Sequence, residues 1–214
     1  MQGDTAMENK DWIVTECTIK EIRDYVEEHH YSHNVNGLKI TKCYALYHGN
    51  SLSGVIIFGQ LSTTSWKKYS DNEQDVVELR RMVITDRSKA NVNTWFMSRA
   101  IKLLKKDTTV KKIISYADPF YGHVGAVYQA SNWVYLGVTN KDVVLVTKSG
   151  KRYHSRAMRT KYKGELKPFA KRLKEMYEQG DLSEVVVPGK HIYFYPLVKN
   201  HGFIGLPYPK KDKS

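Results

Sequence analysis

The sequence predicts an α/β (α+β) fold: a mixed central sheet flanked by helices, followed by a basic C-terminal extension. Three observations lead there. Residues 78–137 read as strand, loop, helix, strand, loop, helix. A hairpin pattern precedes that unit. Positive charge is concentrated behind it: residues 148–214 hold 16 Lys/Arg against 6 Asp/Glu, whereas residues 1–147 hold 18 against 16.

Residues 1–17 are expected to form a flexible N-terminus. The stretch to Asp11 is acidic and polar, without the apolar segment of a signal peptide. Thr18-x-x-Glu21 is a capping box, and Ile19, Ile22 and Val26 share one helical face. A helix should therefore run to about His30. Cys43–Tyr47 and Ser53–Gly59 read as strands turned at His48-Gly49-Asn50. Gly54 and Gly59 mark a bulge and a close backbone approach. Leu61–Gln74 is a long polar loop, a frequent place for function.

Glu78–Ile84 is the first strand of the central unit. Strict alternation puts either Arg80 or Arg81 on the face of Leu79 and Val83. A half-buried arginine there needs a partner, which makes it a structural ion pair or an anion site. The polar loop Thr85–Asn93 opens the helix Thr94–Leu104, whose first free N–H groups suit an anion. Ile113–Asp118 is the second strand, and a helix from about His123 to Trp133 closes the unit near Gly137. The two strands should be parallel neighbours joined by a right-handed crossover. This is the layout of an acyl-CoA-type transferase.

Ser115 and Asp118 are three apart and face opposite ways unless the strand bulges or ends there. Asp118 precedes Pro119, which holds it extended. Its carboxylate could accept the proton of an amino group or cap the following turn.

Further on, Val143–Thr147 and Lys151–Met158 read as a hairpin turned at Ser149-Gly150. A helix from about Gly164 carries Phe169, Leu173, Met176 and Tyr177, and Gly180 stops it. Val185–Val187 and His191–Tyr195 read as a second hairpin, turned at Pro188-Gly189. Residues 207–214 should be a mobile tail. The expected organisation is a catalytic domain over 18–163, with the helix, hairpin and tail of 164–214 packed on it.

Composition narrows the function. Of 214 residues, 41% are hydrophobic and 12% aromatic, so the chain has the means to build a core. No apolar run approaches the roughly 18 residues of a membrane span. Cys17 and Cys43 lack the spacing of a disulfide framework or zinc ribbon and suit a reducing cytoplasm. The basic C-terminal third favours a polyanion, with nucleic acid leading; a solubilising face is the other reading. Lys151, Arg152, Arg156, Arg159, Lys161 and Lys163 fall in one short stretch. Alternation would put Lys151, Tyr153 and Ser155 on one face, and Arg152, His154 and Arg156 on the other. His29, His30 and His33 have spacings that allow metal ligation; the other reading is a helix C-terminus, where His suits the dipole.

Several blocks carry a family resemblance: His29-His30-Tyr31-Ser32, Glu78 to Ile84, Trp95 to Ala100, Ser115-Tyr116-Ala117-Asp118, Gly122 to Gly125 and Tyr128 to Trp133. In this order they resemble the GNAT acetyltransferase superfamily and, more specifically, the phage-encoded Mom DNA-modification proteins. The resemblance implies a GNAT-like fold and carbamoylmethylation of adenine N6 in DNA, protecting phage DNA from restriction. Acetyl-CoA or a related acyl donor is the implied cofactor. The implied partner is double-stranded DNA with a flipped adenine, with no membrane, in the host cytoplasm for a phage protein. His30, Tyr31, Ser115, Asp118, His123 and Tyr128 are the implied catalytic residues and should converge on one cleft. Tyr128 stands near where a GNAT tyrosine protonates the thiolate. Arg81, Arg87, Lys89, Asn93 and Ser98 are the implied donor-binding residues. One departure is plain: Arg87-Ser88-Lys89-Ala90-Asn91-Val92-Asn93 replaces the glycine-rich turn, so Arg87 and Lys89 side chains would meet the phosphates. Two other classes compete. An N-acetyltransferase for a small amine or protein would carry that glycine turn and need no basic tail. A non-catalytic nucleic-acid-binding protein explains the charge but not the Ser-Tyr-Ala-Asp and Gly-His blocks.

Overall fold

The structure is a computed structural model and describes residues 11–62 and 64–210. The expectation of a flexible segment over residues 1–10 lies outside the described residues, as does the tail beyond residue 210. The described chain divides into two compact units. One holds the residues up to Ala117, Gly125–Gly137, and those from Ile192 on; the other holds Asp118–Val124 and Val138–His191.

The first unit begins with β1 (Trp12–Cys17), α1 (Ile19–His29), β2 (Ile40–His48) and β3 (Ser51–Gly59). It continues with β4 (Val76–Ile84), α2 (Val92–Asp107), β5 (Lys112–Ala117), α3 (Ala126–Ala130) and β6 (Val134–Val138). The second unit contains β7 (Asp142–Thr147), β8 (Arg152–His154), β9 (Lys161–Tyr162), β10 (Glu165–Leu166), α4 (Pro168–Glu178) and β11 (Leu182–Val187). The last strand, β12 (His191–Pro196), returns to the first sheet, whose order is β1-β2-β3-β4-β5-β12-β6. The strands holding Leu79 and Ile114 are parallel neighbours, as expected.

Helices cover both faces of this sheet. On one, Ile22 and Val26 of α1 pack with Cys43, Ala45, Val55 and Ile57. On the other, Phe96, Met97, Ala100 and Leu104 of α2 pack with Tyr44, Leu46, Ile56, Phe58 and Leu79. The central strands are therefore buried on both sides, which is why Cys43–Leu46 and Ser53–Gly59 read as continuous buried runs. At the start of α1 the Glu21 carboxylate accepts from the Thr18 N–H at 2.6 Å and its hydroxyl at 2.7 Å, as the capping box predicts. Gly59 makes the expected close approach: a Cβ there would lie 2.5 Å from the Lys39 carbonyl oxygen.

Several expectations are corrected. Residues 12–17 are not a flexible arm but an edge strand, pairing with β2 from Trp12↔His48 to Cys17↔Cys43. Strict alternation fails in β4. Ile57 pairs with Arg81 and Phe58 with Leu79, so Arg80 is the extra residue of a bulge. Leu79 and Met82 thus share one face, Arg81 and Val83 the other, and neither arginine lies with both Leu79 and Val83.

Val185–Val187 and His191–Tyr195 do not form a hairpin. β11 pairs antiparallel with β7, and β12 lies between β5 and β6. Pro188-Gly189 is a crossing point: the Thr139 N–H donates to the Lys190 carbonyl, the Lys190 N–H donates to the Thr139 hydroxyl, and a Cβ at Gly189 would collide with the Thr139 carbonyl. α4 begins at Pro168 rather than near Gly164, because Lys163 and Gly164, both at positive φ, turn the short β9–β10 hairpin first. Residues 207–210 of the expected mobile tail are docked. Tyr208 donates its hydroxyl to the Trp133 carbonyl at 2.7 Å, and the Gln129 amide donates to the Pro209 carbonyl at 3.2 Å.

Candidate active site

The parallel ladder between β4 and β5 is short. Val76, Val77 and Glu78 pair with Lys112, Ile113 and Ile114, and there it stops. β4 runs on to Ile84 and β5 to Ala117, so the strands part at their carboxyl ends. Ligands of α/β sheets bind at such points. Beyond Glu78 the β4 edge makes no ladder bond to β5, although the Leu79 and Arg80 carbonyls are already taken by the Ser115 and Arg81 side chains; the rest of that edge suits an extended guest.

Ser115 sits where the strands diverge. It is 1% exposed, with Oγ 3.1 Å from the Leu79 carbonyl oxygen and 2.7 Å from the Tyr128 hydroxyl. A serine hydroxyl has one proton, which leaves two arrangements. Either Ser115 donates to Tyr128, or Ser115 donates to Leu79 and Tyr128 donates to Ser115. Exchange between them turns the tyrosine proton inward or releases it toward a ligand.

Tyr128 is set by α3, which starts from Gly125 at φ +80. Only glycine fits there, because the Tyr193 ring occupies the place of a Cβ. Tyr193 and Trp133 flank the Tyr128 ring at 5.1 and 5.0 Å between centroids. Burial pushes the Tyr128 hydroxyl up to about 12, with the Ser115 hydrogen bond opposing and the fields of Tyr31, Glu78 and Tyr193 adding to the rise. The group is thus a proton carrier at neutral pH.

His30 leaves α1 in extended geometry and is 5% exposed. Its Nδ1 accepts from the Ser32 N–H at 3.1 Å, so the neutral ring carries its proton on Nε2. Tyr31 lies against that ring at 4.3 Å and is 43% exposed. When ionised, Tyr31 would raise the pKa of both Arg81 and Tyr128. Glu78, a residue the sequence reading passed over, belongs to the same electrostatic neighbourhood. It ends the β4–β5 ladder and pairs with Arg80 at 2.7 Å. The two stand at i and i+2 of one strand, where period-two alternation already puts them on one face, and the pairing survives the bulge at Arg80.

The metal reading of His29, His30 and His33 is corrected. His30 Nδ1 serves the Ser32 N–H, His33 Nδ1 donates to the Glu27 carbonyl at 2.7 Å, and His29 turns edge-on to Tyr25. Among the described residues no group of three or more His, Cys, Asp or Glu could hold a metal ion.

The donor-binding residues fare unequally. The Arg81 guanidinium bonds the carbonyls of Asn34 and Arg80, so it ties the segment after α1 to β4. Arg87 is exposed, and Lys89 holds its ammonium 4.9 Å from the Trp95 ring centroid. Asn91, at φ +55, supplies the left-handed turn that glycine would otherwise make before α2. The first helical bond there runs from the Trp95 N–H to Asn91, so the Asn93 and Thr94 N–H groups stand at an open helix start. Ser98 lies further along α2 on its exposed side.

The second unit holds Asp118 and His123. Asp118 caps the 3-10 turn Pro119–Tyr121 by accepting from the Phe120 N–H at 3.1 Å, and its other oxygen meets Lys190 Nζ at 3.2 Å. His123 is exposed, its N–H bonded to the Asp118 carbonyl. Of the six cations singled out in the sequence, Lys151, Arg156, Arg159, Lys161 and Lys163 are exposed, and Arg152 is half-buried. The expected two-face alternation holds only over Arg152–His154, because residues 155–159 turn into a 3-10 helix. Tyr153 packs inward with Leu145, Leu173 and Leu182, whereas His154 pairs with Asp142 at 3.2 Å. No helix among the described residues is long and apolar enough to cross a membrane.

Comparison with known proteins adds a family. The model of the Mom protein family matches residues 11–210. No curated protein matches the sequence significantly. Among solved structures, the chain is similar to Arabidopsis thaliana NAA60 in complex with acetyl-CoA, with 8% identity, TM-score 0.48, and 87% of this chain and 99% of that one covered. It is also similar to a GNAT-family acetyltransferase of Streptococcus pneumoniae, with 8% identity, TM-score 0.46 and coverage of 87% and 99%. A third is the Bacillus subtilis acetyltransferase in complex with CoA, with 14% identity, TM-score 0.43 and coverage of 87% and 98%. With identities this low and TM-scores below 0.5, these likenesses carry no argument about function.

Proposed function

The chain belongs to the Mom protein family, and from that premise we propose that it is a transferase that uses an acyl-CoA-type donor to modify the N6 amino group of adenine in DNA. In that step N6 bonds the donor's carbonyl carbon as the C–S bond breaks, so the immediate product we assign is N6-acyl adenine. Carbamoylmethylation, which the family resemblance implies and which would protect phage DNA from restriction, joins through a methylene carbon and needs a nitrogen source besides the donor. The observation that carries the reading is the opening between β4 and β5 with the Ser115–Tyr128 hydroxyl pair at its apex.

The free β4 edge and the open start of α2 fit the arm and phosphates of a CoA-type donor, with Arg87 and Lys89 near that helix start. When bound, such a donor supplies an activated carbonyl carbon and a thiolate leaving group. Tyr128 holds the proton that a departing thiolate needs, and Ser115 holds Tyr128 in place. Asp118 keeps carboxylate lone pairs beyond its two contacts and is the assigned acceptor for the N6 proton. His30, Tyr31 and His123 are assigned to orient the base. Adenine N6 lies inside the duplex, so the base must be extruded to react. The exposed cations Lys151, Arg156, Arg159, Lys161 and Lys163 are assigned to the phosphates, which position DNA without reading it.

The test is plasmid DNA co-expressed with the protein, digested to nucleosides and weighed by mass spectrometry. A carbamoylmethyl group is joined through its methylene carbon, an acyl group through its carbonyl carbon, and the two differ in mass. The expected immediate product is N6-acyl deoxyadenosine, lost in Tyr128→Phe. Carbamoylmethylated deoxyadenosine would keep the DNA assignment and replace simple acyl transfer as the chemistry. Unmodified DNA, with acetylation of a small amine or protein, would overturn the DNA assignment.

A further inference from the structure

Phe120 and Tyr121 lie side by side in the second unit, 46% and 42% exposed, their rings edge to face at 5.4 Å. Two large exposed aromatics on one short turn are unusual unless something covers them. The turn is rigid. Asp118 caps it, Pro119 fixes its first residue, and Gly122 closes it at φ +71 with a bond to the Pro119 carbonyl.

Arg152, on the edge strand β8, lays its guanidinium 3.4 Å from the centroid of the Phe120 ring and 5.2 Å from that of Tyr121. It has no carboxylate and no hydrogen-bond acceptor among the described residues, and its Nε is buried without a partner. A buried guanidinium donor normally finds an acceptor, because leaving it unmade is costly. Stacking on an aromatic face orients the fork but satisfies none of its donors. Such a group is complementary to a phosphate. The unit that carries it holds 13 Lys/Arg against 7 Asp/Glu.

We infer that Arg152, Phe120 and Tyr121 form a single-nucleotide platform. The Arg152 fork takes a backbone phosphate, and an unpaired base stacks on the Phe120 face opposite the guanidinium, beside Tyr121. Aromatic stacking accepts any base, and a neighbouring arginine adds to it. The inference rests on the proposal that DNA is the substrate. It gives that DNA a second footing, which would hold one displaced nucleotide while another is extruded.

The experiment measures binding of the full chain to a fluorescent single-stranded oligodeoxynucleotide and to a duplex, across a salt series. Phe120→Ala should weaken single-strand binding roughly 5- to 150-fold with an unchanged salt slope. Arg152→Gln should lower the magnitude of that slope by about 0.7. Phe120→Trp should bind like the native chain and show quenched indole emission on binding, a readout that does not depend on how Phe120→Ala folds. Native affinity in Phe120→Ala, or an indole that ignores the oligonucleotide, overturns the platform and leaves the DNA assignment standing. A native chain that binds neither strand form overturns both and gives the exposed rings to a protein partner.

Discussion

The Tyr128 hydroxyl makes one hydrogen bond and lies in a fully buried place, and both facts have measurable consequences. Its pKa in the fold, about 12, lies above the usual value of 10. A raised value stabilises the fold fully below pH 10, and the benefit is lost as pH rises through the folded value. The native chain should therefore lose about 2–3 kcal/mol through this group between pH 10 and 12. Tyr128→Phe should unfold along a shallower alkaline slope, read by denaturant titration at each pH. At neutral pH the same variant should cost only about 1 kcal/mol, because Ser115 keeps the Leu79 carbonyl. Its turnover should still fall sharply with little change in donor KM, as removal of a proton donor requires. Asp118→Asn separates two roles. Asparagine still caps the turn, and Lys190 is half exposed, so stability should change by less than about 1 kcal/mol. If Asp118 accepts the N6 proton, modification should drop by roughly 100-fold or more; unchanged modification reduces it to a cap. The sequence exposed Ser115 and Tyr128 because polar groups interrupt apolar elements. It did not single out Glu78, although its i, i+2 spacing to Arg80 allows an ion pair, nor the local bonds of His30 and His33, which depend on loop geometry.

At the scale of elements, close approaches set what each strand tolerates. Gly59 lies so near Lys39 that a methyl group must displace backbone rather than a flexible side chain. Gly59→Ala should cost about 1–3 kcal/mol in denaturant unfolding, although alanine suits a strand better than glycine in open surroundings. A cost near zero would mean that the Lys39 segment yields freely. Elements held by local chemistry were legible: the Thr18–Glu21 box, the His48–Asn50 turn, the Gly180 stop and the β4–α2–β5 succession. Elements defined by distant partners were not. β1 shows little hydrophobic pattern because it is a six-residue edge strand with only Trp12 buried. β12 was joined to β11 because Pro188-Gly189 carries the signature of a turn, while its actual role is set by contact with Thr139. The phosphate-loop departure was visible as missing glycine, yet nothing in the sequence said that Asn91 would take the left-handed position.

For the whole molecule, charge and connectivity matter most. The exposed cations of the second unit should act additively on DNA through counterion release. Arg156→Ala and Lys161→Ala should each weaken binding to every sequence alike and lower the salt slope by about one unit, measured by anisotropy. Unchanged slopes in both would assign that charge to solubility. Connectivity has a different consequence. β12 sits between β5 and β6 although it is the last strand among the described residues. During synthesis, β6 has no neighbour in its sheet until residues near 191 have left the ribosome, and one edge of β5 waits equally long. Order in this sheet is thus provisional until β12 is made. A chain released before His191 should be a target for proteases over its first half, while one ending after residue 210 should resist them in a single cooperative step. Vulnerability of the nascent protein is a matter of timing, decided by the last strand to arrive.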